Sequence, residues 1–184
     1  MSEWFETLDG LHDRMWQRLS RGVADAKSPS RQPTFATMRD GWPEARTVVL
    51  RAATRETATL EVYTDLRSDK IESLRATPRA ALHVWEDKQR LQIRLQAQVE
   101  ILSGDTVADR WEKIGAGGRQ SYGKRPDPGT QLDSALDYEI TASFDAFAVL
   151  SCRIEAIDLT HLGDDHRRAT YRRDADWRGQ WRSP

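Results

Sequence analysis

Apolar residues recur at spacings of three and four from Trp4 to Val23, through Phe5, Leu8, Leu11, Met15, Trp16 and Leu19. That rhythm lays one stripe along a helix, so the pattern predicts an N-terminal helix within residues 1–26, with Ser2 as its N-cap and Gly22 near its end. KSPSRQP (27–33) breaks the pattern and reads as a linker. The period then shortens to two. TFATMRD and EARTVVLRAA flank Asp40-Gly41, a hairpin signal, with Trp42 and Pro43 extending the turn. TATLEVYT (57–64) is a further strand. From Ser68 to Ala76 the helical period returns, with Ile71 and Leu74 facing inward and Asp69, Glu72 and Arg75 outward, and Pro78 ends it. RAALHVWE and RLQIRLQAQVEIL alternate as half-buried strands. Asp105 to Ile114 reads as a helix with Val107, Trp111 and Ile114 on one face. GAGGRQSYGKRPDPGTQLD (115–133) is a long loop, of a length that is usually functional or disordered. FDAFAVLSCRIEAIDL is another strand, and residues 161–184 form a closing hairpin around Asp174.

Six or seven strands joined mostly as hairpins, with short helices between them, predict a mainly β, α+β chain that closes into a barrel or sandwich. At 184 residues the whole chain, 1–184, is expected to form a single domain. No internal repeat interrupts it.

Charge changes the picture little. Charged residues are 31% and nearly balanced, for a net charge of −1, so no global field favours nucleic acid or membrane and an anion site has to be local. The six arginines of the tail are diluted by four aspartates, Asp164 to Asp176, which fits a solvated hairpin face better than a nucleic-acid surface. Seven tryptophans exceed what a core of this size needs and suit a subunit interface or a planar ligand. One cysteine, Cys152, excludes a disulfide within the chain; with no secretory leader in MSEWFETLDG and no run long enough to span a bilayer, a cytoplasmic location is expected. Four scattered histidines and one cysteine lack metal-ligand spacing, and neither a dinucleotide fingerprint, a P-loop nor a nucleophile elbow is present.

The candidate chemistry lies between Arg46 and Leu95. RTVVLR (46–51) is an apolar strand between two arginines, and YTDLRSDK (63–70) runs from a strand end into a helix start carrying Arg67, Ser68 and Lys70. Strand ends leading into a helix N-terminus supply the fixed donors and positive charge that a phosphate needs. Taken singly, Arg46, Arg51 and Lys70 also read as solvated surface cations, and Gln92 as a solvent-facing strand residue. His83 reads as structural, and His12 and His161 have no evident partners.

Together these motifs resemble the pyridoxamine 5′-phosphate oxidase-like family of FMN-binding split barrels, over roughly residues 33–102 and again in the last twenty. The residues carrying the likeness are Arg46 and Arg51, then Tyr63, Thr64, Ser68 and Lys70, then Pro78 and Gln92, and at the end His166, Arg168, Trp177 and Pro184. The resemblance implies an FMN-dependent oxidoreductase working as a homodimer with the cofactor at the interface. Lys70, with Arg67 or Ser68, would hold the FMN phosphate. Arg46, Thr47 and Arg51 would line the cofactor, backbone groups of Val48, Val49 and Leu50 would meet the flavin's pyrimidine rim, and Gln92 would meet a ring edge. Arg168 would stabilise the reduced flavin, and His166 would line a small-molecule substrate pocket as the catalytic candidate. The chain departs from true pyridoxamine phosphate oxidases after Gln92. Trp111 stands where a tyrosine is expected, a glycine-alanine stretch replaces an arginine for which Arg119 and Ser121 could substitute, and Asp164 replaces a second arginine. A different substrate is therefore expected. The alternatives are a non-catalytic FMN-binding or haem-related split barrel, and an Arg/Trp-rich nucleic-acid module.

Overall fold

The structure, a computed structural model, describes residues 3–184. The expected N-cap Ser2 lies outside the described residues, and the cap of α1 (Leu8–Ala24) is Thr7. Its hydroxyl accepts the Gly10 N–H at 3.0 Å, leaving Trp4–Glu6 as a separate 3-10 turn. The apolar stripe packs as its spacing requires, with Leu11, Met15, Trp16 and Leu19 buried. Among the described residues no helix is long and apolar enough to cross a membrane.

Nine strands form one antiparallel sheet, rather than six or seven. β1 (Thr34–Arg39) and β2 (Trp42–Thr47) make the expected hairpin, with Asp40 and Gly41 both at positive φ. Trp42 and Pro43 do not extend the turn. They open β2, paired with Arg39 and Met38, and proline is tolerated there because β2 is an edge strand. RTVVLR is not one strand either. β2 ends at Thr47 and β3 (Leu50–Thr54) starts after a break at Val48-Val49. The break is forced by topology. In the order β2-β1-β5-β6-β7-β4-β3, the strands on either side of it stand at opposite ends of the path, so the chain has to leave one edge to reach the other. The Val48 N–H still follows the β1–β2 register, donating to Pro33 O at 3.1 Å, and the chain turns away after it.

β4 (Thr59–Asp65), β5 (Arg79–Glu86) and β6 (Leu91–Ser103) follow the alternation read from the sequence: Leu91, Ile93, Leu95, Ala97 and Val99 are buried while Arg94 and Gln96 face out. β7 (Phe147–His161) is the hub. It pairs with β6 along one side, while on the other its first half pairs with β4 and its second half with β8 (Arg167–Arg172). The sheet forks there, at Glu155, opposite the bulge between Gln96 and Ala97. β9 (Gln180–Arg182) completes the tail hairpin.

α2 (Asp69–Ala76) begins after Ser68 and buries Ile71 and Leu74 as expected. The helix expected over 105–114 shortens to a 3-10 turn, Gly104–Val107, and α3 (Ala108–Glu112). The loop after it contains the single turn α4 (Ala116–Arg119) and an isolated antiparallel bridge between Arg125 and Glu139.

Candidate cofactor site

A cavity of about 510 Å³ opens where the β2–β3 break, the end of β4 and the start of α2 converge. That volume is in the range of small-molecule sites, about 300–1,000 Å³. Arg46, Thr47, Val48, Val49, Arg51, Tyr63, Thr64, Ser68 and Lys70 all line it. The sequence spread these residues over two segments, and the topology joins them because β3 and β4 are neighbours.

At one end, Lys70 Nζ donates to Thr64 Oγ1 at 2.9 Å and to Ser68 Oγ at 3.0 Å. Burial, and after it the nearby Arg46 guanidinium, lower the Lys70 pKa below 10.5. A half-buried ammonium surrounded by hydroxyls and another cation favours an added anion. Arg46 is fastened rather than free, with Nη1 on Thr37 Oγ1 at 2.7 Å and Nη2 on Glu44 Oε2 at 2.9 Å. Arg51 lies over the Tyr63 ring at 5.5 Å, and its buried Nε has no hydrogen-bond partner. The Tyr63 and Tyr122 hydroxyls are both raised above 10.0, first by burial.

Five of the expected residues lie away from the cavity. Leu50 does not line the cavity; its side chain is in the core, and its carbonyl accepts from Arg31 Nη1 at 3.3 Å. Arg67 is also absent from the lining, because Asp65, Asp127 and the Lys124 carbonyl occupy its guanidinium. Gln92 and Arg168 stand apart from the cavity but share a row across the sheet, each opposite Thr160. Arg168 is held there by Asp158 at 2.9 and 3.1 Å. His166 is exposed and lies just before β8, not on the strand with Arg168.

Of the far wall, the sequence singles out only Ser121, as a substitute for the missing arginine. Ser121, Tyr122, Lys124, Pro126–Thr130, Leu132 and Tyr138 supply it, and the only further sequence signal was the length of the 115–133 loop. Arg119 does not replace the missing arginine. It turns back over the Trp111 ring at 5.1 Å and donates to Trp111 O. Trp111 itself packs against Phe144 and Phe147, and Asp164 is exposed and paired with Arg90. His12 and His161 do have partners: Trp16 Nε1 donates to His12 Nε2, and His161 stacks on Phe5 at 4.3 Å. Cys152 is inert, its thiol pushed up to about 12 by burial.

These donors suit FMN. Hydroxyls and an ammonium without a carboxylate partner await its phosphate, an unpartnered guanidine N–H awaits an acceptor, and tyrosine faces flank the space. Residues 13–103 match the profile of the pyridoxamine 5′-phosphate oxidase FMN-binding domain, a family whose cofactor is FMN. The chain is 28% identical over 97 residues to the pyridoxine/pyridoxamine 5′-phosphate oxidase 2 of Arabidopsis thaliana, covering 50% of this chain and 49% of that protein. It thus spans about half the length of that relative. Among solved structures it resembles a pyridoxamine 5′-phosphate oxidase-related, FMN-binding protein of Nostoc punctiforme (TM-score 0.76, 21% identity, covering 100% of this chain and 98% of that one). It also resembles PhzG of Burkholderia lata, solved with tetrahydrophenazine-1-carboxylic acid (TM-score 0.72, 18% identity, 94% and 91% covered). These structures share its open, split-barrel sheet. Residues 13–103 thus carry the signature of the pyridoxamine 5′-phosphate oxidase FMN-binding domain.

Proposed function

We propose that the chain acts as one FMN-binding unit and an FMN-dependent oxidoreductase on a small molecule other than pyridoxamine phosphate. The observation that carries this is the cavity itself, which gathers Arg46, Thr47, Val48, Val49, Arg51, Tyr63, Thr64, Ser68 and Lys70 around one space. Lys70, Thr64 and Ser68 hold the phosphate, Arg51 offers its free Nε–H, and Val49 presents its main chain at the break between β2 and β3. FMN, when bound, supplies hydride and electron transfer; the protein supplies position and potential.

The same reading includes a homodimer. Gln92 and Arg168 sit together, half-buried, on one sheet face away from their own cavity, and a partner copy would bring that face to the flavin. Met38, Trp42 and Trp85 are large apolar side chains left exposed on the same sheet, which suits a covered surface. A substrate other than pyridoxamine phosphate is favoured because Trp111 and Arg119 are engaged with each other and Asp164 with Arg90.

Titrating purified protein with FMN tests the reading, with quenching of flavin fluorescence at one equivalent per chain as the expected result. Reduction of the bound flavin by NADH or NADPH, followed by reoxidation on adding acceptors, identifies an enzyme. Tight binding with no reduction by any donor leaves an FMN carrier, and failure to bind FMN overturns the proposal.

A further inference from the structure

The corner between β4 and α2, Asp65-Leu66-Arg67-Ser68, binds the distant loop at several points. Asp65 is 6% exposed. Its Oδ1 accepts from Arg67 N–H at 2.9 Å and Arg67 Nε at 3.0 Å, and its Oδ2 accepts from Arg67 Nη2 at 2.7 Å and the Gly123 N–H at 2.9 Å. Arg67 Nη2 also donates to Lys124 O at 3.1 Å, and Nη1 donates to Asp127. One carboxylate and one guanidinium thus hold Gly123, Lys124 and Asp127 to the corner. Gly123 has φ +104°, and a Cβ there would come within 2.2 Å of Thr141 O, so the loop can pass this point only as glycine.

The fastened stretch is the far wall of the cavity. Lys124, Pro126, Asp127, Pro128 and Gly129 line it opposite Lys70 and Arg46. Four of the five guanidinium N–H groups of Arg67 are engaged in the fastening, so the fork that would grip a phosphate bidentately is already used. We propose that Asp65 and Arg67 are positioning residues, a clasp that builds the outer wall of the FMN cavity from residues 123–129, and that Arg67 contributes to cofactor binding through this wall and not through the phosphate. The inference rests on the FMN reading above.

The two roles predict opposite signs. If Arg67 were a phosphate ligand, the Asp65 carboxylate would compete with the incoming dianion, and neutralising it would strengthen FMN binding. If Asp65 and Arg67 form a clasp, Asp65→Asn weakens binding. The test measures FMN affinity by fluorescence quenching for Asp65→Asn, Arg67→Ala and Arg67→Lys, together with trypsin cleavage after Lys124 in the protein without ligand, Arg125 being shielded from trypsin by Pro126. All three variants are expected to lose about tenfold or more in affinity, the scale of one charge-assisted hydrogen bond, and to be cut faster than wild type. Arg67→Lys keeps the charge without the fork, so the clasp expects it to resemble Arg67→Ala. Should Arg67→Ala fail to fold, the other two variants carry the test. Asp65→Asn with unchanged or tighter FMN binding and an uncut loop overturns the clasp. Wild-type protein that ignores FMN overturns the FMN reading instead, and the trypsin comparison still reports on the loop.

Discussion

Lys70 Nζ sits 2.9 Å from Thr64 Oγ1, across the corner that joins β4 to α2. Ser68 Oγ is its other partner at 3.0 Å, so a half-buried ammonium is solvated by two hydroxyls and no carboxylate. Such a site is poorly satisfied until an anion arrives, so on the proposed reading Lys70 trades stability of the free protein for FMN affinity.

Replacing Lys70 by Met separates the two effects. FMN affinity falls by roughly ten- to hundredfold, as for one charge-assisted contact. Free protein becomes more heat-stable, because a desolvated charge has gone. The sign of the pH dependence follows. The folded-state pKa is lowered below 10.5, so the unfolded chain binds more protons and wild-type stability rises with pH between the lowered value and 10.5. The gap in Tm between Lys70→Met and wild type should narrow over that window. Thermal unfolding at several pH values checks this.

Asp65 gives the opposite pH signature. Burial would raise its carboxyl, but the hydrogen bonds from Arg67 and the Gly123 N–H outweigh burial and hold it below 3.8. A depressed folded-state pKa stabilises fully above the unfolded value and is lost as pH falls through the folded one. Hydrogen exchange at Gly123 should show constant protection from neutral pH down to about 5, with loss confined to pH below the ordinary aspartate range, near 3.9. In Asp65→Asn, protection at neutral pH should already be lost.

Glu86 is a structural test away from the cavity. Its side chain is 1% exposed, paired with Arg18 at 2.6 Å, and it accepts from Ser30 N–H at 3.2 Å and from the Ser30 hydroxyl. It ties α1 and the linker to the end of β5. Glu86→Ala strands a largely buried guanidinium and should cost about 3–5 kcal/mol, read as a lower urea midpoint with an unchanged slope.

Arg168 tests the dimer. Light scattering should return twice the 21.1 kDa chain mass. If Arg168 reaches the flavin of the partner copy, mixing Lys70→Met subunits with Arg168→Ala subunits produces heterodimers with one intact site. Isolated heterodimers should then bind FMN at half the wild-type stoichiometry. Recovery to no measurable extent would mean that Arg168 does not act across an interface.

Local pattern was a good guide where near neighbours set the structure. The α1 stripe, the Asp40-Gly41 hairpin, the β6 alternation and the strand-to-helix corner between Tyr63 and Lys70 each lie within one short stretch, and backbone preference and side-chain period express themselves there without help from elsewhere. The break at Val48-Val49 was invisible, because a continuous apolar run does not show that its two halves serve opposite ends of a sheet. The same holds for Arg67, whose place beside Ser68 and Lys70 suggested a phosphate ligand. Its partners Lys124 and Asp127 lie 57 and 60 residues away, and only chain closure decides such a pairing. Gln92 and Arg168 were named for separate reasons, and their shared row through Thr160 emerges only from the register of β6, β7 and β8. Residue type and spacing report which chemistry is available. Which groups face one another, and which are already engaged, depends on long-range packing that a one-dimensional pattern does not encode.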